Sequence, residues 1–214
     1  ETLWTGAMAY GLLGGEPWTR FVEGWLRRLP DAQSEDGSFS MKKLTPRLAF
    51  GCTVYETAMA LLALQAPAGR LSFAPRRAES RPSDDPGAKA AAWLLSNRDP
   101  RSGAWTGKFG GEETDVVLTS LAGLALLAEG RHPTEAAAAV EHVRAKADGY
   151  RSHWTFQHPF AIALLVEAHR AGPRPELKEA VARLVATACS YQRDDGGWSY
   201  GDPRKLILSS NLAS

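Results

Sequence analysis

A short pattern recurs along the chain and indicates a repetitive fold: an amide side chain, then an Asp, a Gly and an aromatic residue. Complete copies lie at 33–39 and 192–198, and a looser copy starts at Asn97 and spans 97–105. Because Gly tolerates the positive φ of a tight turn and Asp bonds nearby backbone N–H groups, each copy predicts a structural turn. The residues assigned to these turns are Gln33, Asp36, Gly37, Phe39, Asp99, Gly103, Trp105, Gln192, Asp195, Gly196, Gly197 and Trp198.

Amphipathic helices form one class of predicted element. Segments 17–29, 134–147 and 177–188 place apolar residues at the spacing of a half-buried helix, so we interpret them as outer helices. Thr134 is the expected N-cap of the second segment, and Pro175 suits the first turn of the third. The apolar stripe of the third segment consists of Leu177, Val181, Leu184, Val185 and Ala188.

A second class of helix is apolar nearly all round. Segments 52–64, 116–128 and 160–168 have no continuous polar face. A helix of this kind is buried on all sides, so we interpret these segments as inner helices. The chain therefore alternates between an outer helix, a turn and an inner helix.

The alternation can be aligned into a repeat. Ala-Leu-Leu triplets begin at Ala60, Ala125 and Ala163, and in this register the first two inner helices keep nearly the same separation from the preceding turn. We count four helical hairpins, the last one incomplete, because another inner helix would begin near Asn211. Such ends would expose apolar flanks, so we expect either self-association through open ends or a longer protein whose next repeat starts near Asn211.

Composition restricts the class of protein. The 214 residues are interpreted as one domain, 1–214, with an exposed, mobile insertion at 66–87 that is rich in Pro and Arg. A formal net charge of +1 gives no basis for binding nucleic acid, and no apolar run reaches the roughly 20 residues that span a bilayer. Cys52 and Cys189 are too few for a disulfide framework, and the sequence leaves a single bridge between them open. The start at Glu1 is typical of a processed or truncated soluble protein, which fits either the cytoplasm or export.

The segment Gln192 to Trp198 is close to the QW motif of the squalene–hopene cyclase and protein prenyltransferase β-subunit superfamily. The helical alternation resembles the repeat of that superfamily over nearly the whole chain outside 66–87, and Gly110 to Ala125 is similar to a pattern in uncharacterised bacterial repeat proteins. The resemblance implies an all-α fold. It further implies an α/α toroid, partial or complete, of helical hairpins with inner and outer helices.

The resemblance also implies where a ligand would bind. In toroids of this superfamily the inner helices surround a central cavity, and ligands meet their amino ends, where the helix dipole favours anions. The candidate cavity residues at those ends are Cys52, Tyr55, Glu56, Thr114, Asp115, His153, Gln157 and His158.

The catalytic motifs of the superfamily are not found in the sequence. The cyclases protonate their substrate with Asp-x-Asp-Asp, whereas the nearest acidic cluster here, 112–115, suits the start of a helix. The prenyltransferases hold zinc with Asp, Cys and His; Asp115, Cys52 and His158 supply these types, but the local Asp-x-Cys pair is absent. His153 and His158 lack the i, i+4 spacing of two ligands on one helix. We assign no catalytic residue and no metal ligand, and keep zinc as an alternative.

Two functions follow from these features. The favoured one is a non-catalytic binding or scaffolding module for a protein partner or for an apolar, isoprenoid-like ligand in the central cavity, without a cofactor. The alternative is an isoprenoid-handling enzyme, either like a terpene cyclase or like a prenyltransferase β subunit. The presence of a catalytic acid or of a metal site would distinguish the enzyme from the binding module.

Overall fold

The computed structural model describes residues 15–24, 26–40, 52–65, 85–109, 112–150 and 157–192. Its α-helices are α1 (Gly15–Gly24), α2 (Thr53–Gln65), α3 (Pro86–Ser96), α4 (Asp115–Glu129), α5 (Pro133–Lys146), α6 (His158–Ala171) and α7 (Pro175–Cys189). A 3-10 helix (Leu26–Ala32) follows α1, and a short antiparallel pair, β1 (Lys108–Phe109) with β2 (Glu112–Glu113), precedes α4. Helices hold most of the described residues, so the predicted all-α fold is confirmed.

Helix α4 lies at the centre of the packing. It packs against α2, α5 and α6, and more lightly against α3. Helix α3 also packs on α2, while α5 and α7 both pack on α6. The helices α2, α4 and α6 therefore follow one another in a row, with α3, α5 and α7 alongside it; α3 was not among the predicted outer helices.

The inner helices differ in burial. Side chains 55–63 of α2 and 116–126 of α4 are all buried, as helices without a polar face require. In α6, however, Ile162 and Ala163 are only half-buried, so the expectation that 160–168 is buried on all sides is wrong. Helix α6 has one inner neighbour among the described helices, α4, which leaves part of its surface less covered.

The first outer helix is shorter than predicted. Segment 17–29 was expected to be one α-helix, but α1 ends at Gly24 and the chain continues as the 3-10 helix from Leu26. Gly is a weak helix former, and Pro30 inside the following segment would clash with a preceding carbonyl in α geometry. The tighter 3-10 form still buries Leu29.

The amino ends of two outer helices correct the sequence interpretation. Helix α5 begins at Pro133 with His132 as the N-cap and no side-chain capping bond, so Thr134 lies inside the first turn and the predicted N-cap is wrong. Proline presets the helical φ at this position. Helix α7 does begin at Pro175, as expected. Its Val185 is 41% exposed, because the buried stripe runs along other positions. Those positions are Leu177, Ala180 and Leu184.

The insertion predicted at 66–87 is too long at its carboxyl end. Asp85 is the N-cap of α3, and its Oδ1 accepts a hydrogen bond from the backbone N–H of Gly87 at 2.9 Å. Residues 85–87 therefore belong to the start of an outer helix. The rest of the predicted insertion, 66–84, lies outside the described residues.

The first predicted turn requires glycine at one position. Gly37 has φ 92°, and a Cβ placed there would lie 2.4 Å from the backbone oxygen of Lys89 in α3. Gly103 in the second turn has φ 69°, but the nearest atom to its Cβ position is 3.9 Å away. The first turn is thus pressed against a neighbouring helix, whereas the second needs only the left-handed backbone conformation.

Gly37→Ala is therefore expected to lower the free energy of unfolding by about 2–3 kcal/mol, because the backbone strain of a positive φ adds to the steric clash with α3. Gly103→Ala should cost about 1 kcal/mol, from backbone strain alone. Gly149→Ala is the matched control, since nothing lies within 4 Å of its Cβ position and its φ is not positive. Urea denaturation of the three variants checks this order, and an equal loss in all three would contradict the close contact with α3.

Candidate functional site

The aspartates of the first two turns accept hydrogen bonds from groups within the same turn. Asp36 Oδ1 accepts hydrogen bonds from Ser38 Oγ at 2.8 Å and Ser38 N at 3.0 Å. Asp99 accepts from Ser102 Oγ at 2.7 Å and from Arg101 N at 2.9 Å. The bonds from Ser38 and from Ser102 are the main causes that hold the pKa of each carboxyl below its ordinary value. Both groups are therefore ionised hydrogen-bond acceptors within their turns.

The aromatic residue of each turn is tied to the next inner helix by the same contact. The backbone N–H of Phe39 donates to Thr57 Oγ1 at 3.0 Å, and that of Trp105 donates to Thr119 Oγ1 at 3.0 Å. Both aromatic residues and both threonines are fully buried. These threonines occupy the same position in α2 and α4, counted from the start of each helix. The turn and the helix therefore form one repeated unit.

This contact corrects the alignment of the inner helices. With Thr57 equivalent to Thr119, Ala60 corresponds to Ala122, and its predicted alignment with Ala125 is wrong. The Ala-Leu-Leu triplets match by composition, but the connections between turn and helix differ in length. The sequence contained a signal for the true register, a Thr in the second turn of each helix.

Each turn also contacts the outer helix of the following hairpin. Asp36 Oδ2 accepts from Trp93 Nε1 of α3 at 3.0 Å, and Gln33 Nε2 donates to the carbonyl of Pro86 at 2.9 Å and to that of Gly37 at 3.0 Å. The Cβ position of Gly103 in the second turn faces the Ala138 Cβ of α5.

A third turn, which has a weak match to the pattern, makes an equivalent contact. Asp148 in this turn forms an ion pair with Arg183 of α7. Each of these turns thus contacts the outer helix that follows it, through a half-buried and an exposed hydrogen bond in the first turn and through an exposed ion pair in the third.

The amino ends of α2 and α4 lie close together. Cys52 precedes α2, and its Sγ is 3.5 Å from the Cβ position of Gly107. Thr114, the N-cap of α4, donates its backbone N–H to the Gly107 carbonyl at 3.0 Å. Two of the predicted candidates, Cys52 and Thr114, therefore meet on the same backbone segment.

The thiol of Cys52 is not poised for nucleophilic chemistry. Burial raises the pKa of this thiol, and the negative charge of Glu56 adds to the rise, against backbone hydrogen bonds from Tyr55 and Val54. A thiol with a raised pKa stays protonated at neutral pH and packs as a small apolar group. Tyr55 and Glu56 are themselves buried in the first turn of α2, where the helix dipole favours a carboxylate.

Asp115 is paired with the outer helix α5. Its Oδ2 lies 3.1 Å from His142 Nε2 and 3.5 Å from Lys146 Nζ. Partial burial acts to raise the pKa of Asp115, but the hydrogen bond from His142 and the positive charge of Lys146 outweigh it, so the pKa is lowered. An ionised, paired carboxylate at this position joins α4 to α5 and is unsuited to donate a proton.

Asp115→Asn is expected to destabilise the protein by about 0.5–1 kcal/mol near pH 7. Since the folded-state pKa of Asp115 is lowered, its contribution is present above the ordinary pKa of 3.8 and is lost as the pH falls through the folded-state pKa. The wild-type and variant stabilities should therefore converge in acid, which urea denaturation between pH 3 and pH 7 would measure. Asp148→Asn, an exposed pair with Arg183, is the control and should change little. A constant difference for Asp115→Asn across this range would contradict the assignment.

The amino end of α6 is surrounded by aromatic rings. His158 is fully buried, with its ring centroid 5.1 Å from that of Tyr150 and 5.7 Å from that of Tyr191. The Tyr150 hydroxyl donates to Gln157 Oε1 at 2.8 Å. The neighbouring candidates Gln157 and His158 therefore both contact Tyr150. The candidate cavity residues did not include Tyr150 or Tyr191, although the sequence places Tyr150 as the aromatic residue of a degenerate third turn, Asp148-Gly149-Tyr150.

The residue types considered for zinc do not assemble in the described part of the chain. Among residues with described side chains, no group of three or more His, Cys, Asp and Glu could hold a metal ion. Asp115 instead contacts His142, which the sequence interpretation did not consider.

None of the described helices is long and apolar enough to cross a membrane.

Several predicted residues lie outside the described part of the chain. His153 and the fourth-turn residues Asp195, Gly196, Gly197 and Trp198 lie outside the described residues, as does the inner helix expected near Asn211. Gln192 is the last described residue of the fourth turn, and its backbone N–H donates to the carbonyl of Cys189 at 2.9 Å.

A fully buried carboxylate marks the opposite end of α4. Glu129 accepts a hydrogen bond from the backbone N–H of Arg131 at 2.8 Å and pairs with its guanidinium group. The same guanidinium lies 3.1 Å from Asp85 Oδ2, at the N-cap of α3. This network joins the ends of two helices and carries no sign of chemistry.

The candidate functional site is thus the set of buried polar residues at the amino ends of α2, α4 and α6. Comparison with protein-family models, with curated proteins and with solved structures finds no match to this chain.

Proposed function

We propose that the chain is a prenyltransferase- and squalene-cyclase-like helical-repeat module that binds a protein partner or an apolar ligand and catalyses no reaction. The toroid arrangement of its hairpins and the central cavity are parts of this proposal. Binding would take place at the amino ends of the inner helices.

One observation carries the proposal: each of the three inner helices has buried polar side chains at its amino end. These are Glu56 in α2, Thr114 before α4, and Gln157 with His158 at α6. Buried polar side chains are uncommon in a protein interior, so their repeated placement at one end of successive helices supports a common role. The buried rings of Tyr55 and His158 would add apolar contact area for a ligand.

The absence of catalysis is supported by the state of the groups that catalysis would use. Asp115, the acidic residue nearest to an inner-helix start, is held by His142 and Lys146 of α5. Zinc-dependent prenyl transfer requires a metal site of Asp, Cys and His in which the Cys binds as a thiolate. The pKa of the Cys52 thiol is raised, which disfavours the thiolate.

Incubation with farnesyl diphosphate and with squalene, with added Zn²⁺ and Mg²⁺, tests the proposal against the enzyme alternative. We expect no release of diphosphate and no cyclised product. Farnesol, an uncharged isoprenoid probe, should instead change the intrinsic tryptophan fluorescence in a saturable titration. If the protein converts either substrate, and Cys52→Ala or Asp115→Asn abolishes this activity, the protein is an enzyme and the proposal is wrong.

The titration needs a variant at the proposed site and a matched control. Glu56→Gln keeps the shape of a buried side chain in the first turn of α2 and should weaken farnesol binding severalfold. Glu179→Gln makes the same change on the exposed face of α7 and should leave binding unchanged. Equal effects of the two variants would show that the amino end of α2 is not part of the site.

A further inference from the structure

We draw no further inference here: the strongest candidate, the fully buried His158 between the rings of Tyr150 and Tyr191 at the amino end of α6, belongs to the candidate site already described.

Discussion

Trp105→Ala is expected to lower the free energy of unfolding by about 3–5 kcal/mol, the range for truncating a buried Trp. Trp105 is fully buried and is the largest of the fully buried side chains in the described part of the chain. Its indole N–H donates to the carbonyl of Leu94 in α3 at 2.6 Å, and its backbone N–H donates to Thr119 of α4 at 3.0 Å. Truncation therefore opens a cavity where the second turn joins two helices, and it leaves the Leu94 contact unmade.

Two further variants separate the causes of this loss. Trp105→Phe keeps an apolar ring but removes the indole donor, so it should cost about 1–2 kcal/mol. Trp93→Ala removes a half-buried indole whose hydrogen bond to Asp36 is exposed, and it should cost less than Trp105→Ala. Guanidinium denaturation monitored by circular dichroism measures all three. If Trp105→Ala were no more harmful than Trp93→Ala, the turn would not be the packing element described above.

Arg131→Ala is expected to have the second largest effect, a loss of about 2–4 kcal/mol. The Glu129 side chain is 0% exposed, whereas Arg131 is 49% exposed and can reach both Glu129 and Asp85. Glu129 lies at the carboxyl end of α4, where the helix dipole disfavours a negative charge. Removing the guanidinium leaves this buried carboxylate without its paired cation.

The design of the test isolates the buried charge. Arg144→Ala removes a guanidinium from a surface ion pair with Glu141 and should cost no more than about 0.5 kcal/mol. Adding Glu129→Gln to Arg131→Ala removes the buried negative charge and should recover part of the loss. Thermal unfolding at several salt concentrations measures the set. No recovery in the double variant would show that Arg131 acts by packing instead of by charge.

The burial of α2 and α4 and the chemistry of the turns were predictable from local patterns. The all-round apolar composition of 116–128 reports burial directly, because a helix without a polar face has nowhere to meet water. The Asp-Gly pattern at Asp36 and Gly37 reports a turn, because it depends on the conformations of those residues alone. Predictions of this kind need no knowledge of what packs against the segment.

The contacts that define the site were not predictable in the same way. Asp115 was assigned to a central cavity, but its carboxylate contacts His142, which lies on the next helix of the chain. The pairing depends on how α5 turns back along α4. The spacing of apolar residues shows which side of a helix is buried, but it does not show which residue of a neighbouring helix a charged side chain contacts. Likewise, the burial of His158 depends on Tyr191, which is brought to it by the return of α7.

The predicted alignment of the inner helices was wrong for a related reason. The Ala-Leu-Leu triplets are compatible with several alignments, since Ala and Leu are interchangeable good helix formers on a buried surface. The hydrogen bonds to Thr57 and Thr119 select one alignment, because a buried hydroxyl must face a particular backbone group. Rare polar residues inside apolar helices are thus the more informative markers of repeat register.

The site proposed for binding can be located most directly by two-dimensional ¹H–¹⁵N NMR of the uniformly ¹⁵N-labelled chain during the farnesol titration. The account predicts saturable shifts that cluster at the amino ends of the inner helices. The amides expected to shift are those of Cys52, Glu56, Thr114, Gln157 and His158, with no product in the same sample. Shifts confined to α7 around the exposed Val185, or no shifts at saturating farnesol, would contradict it.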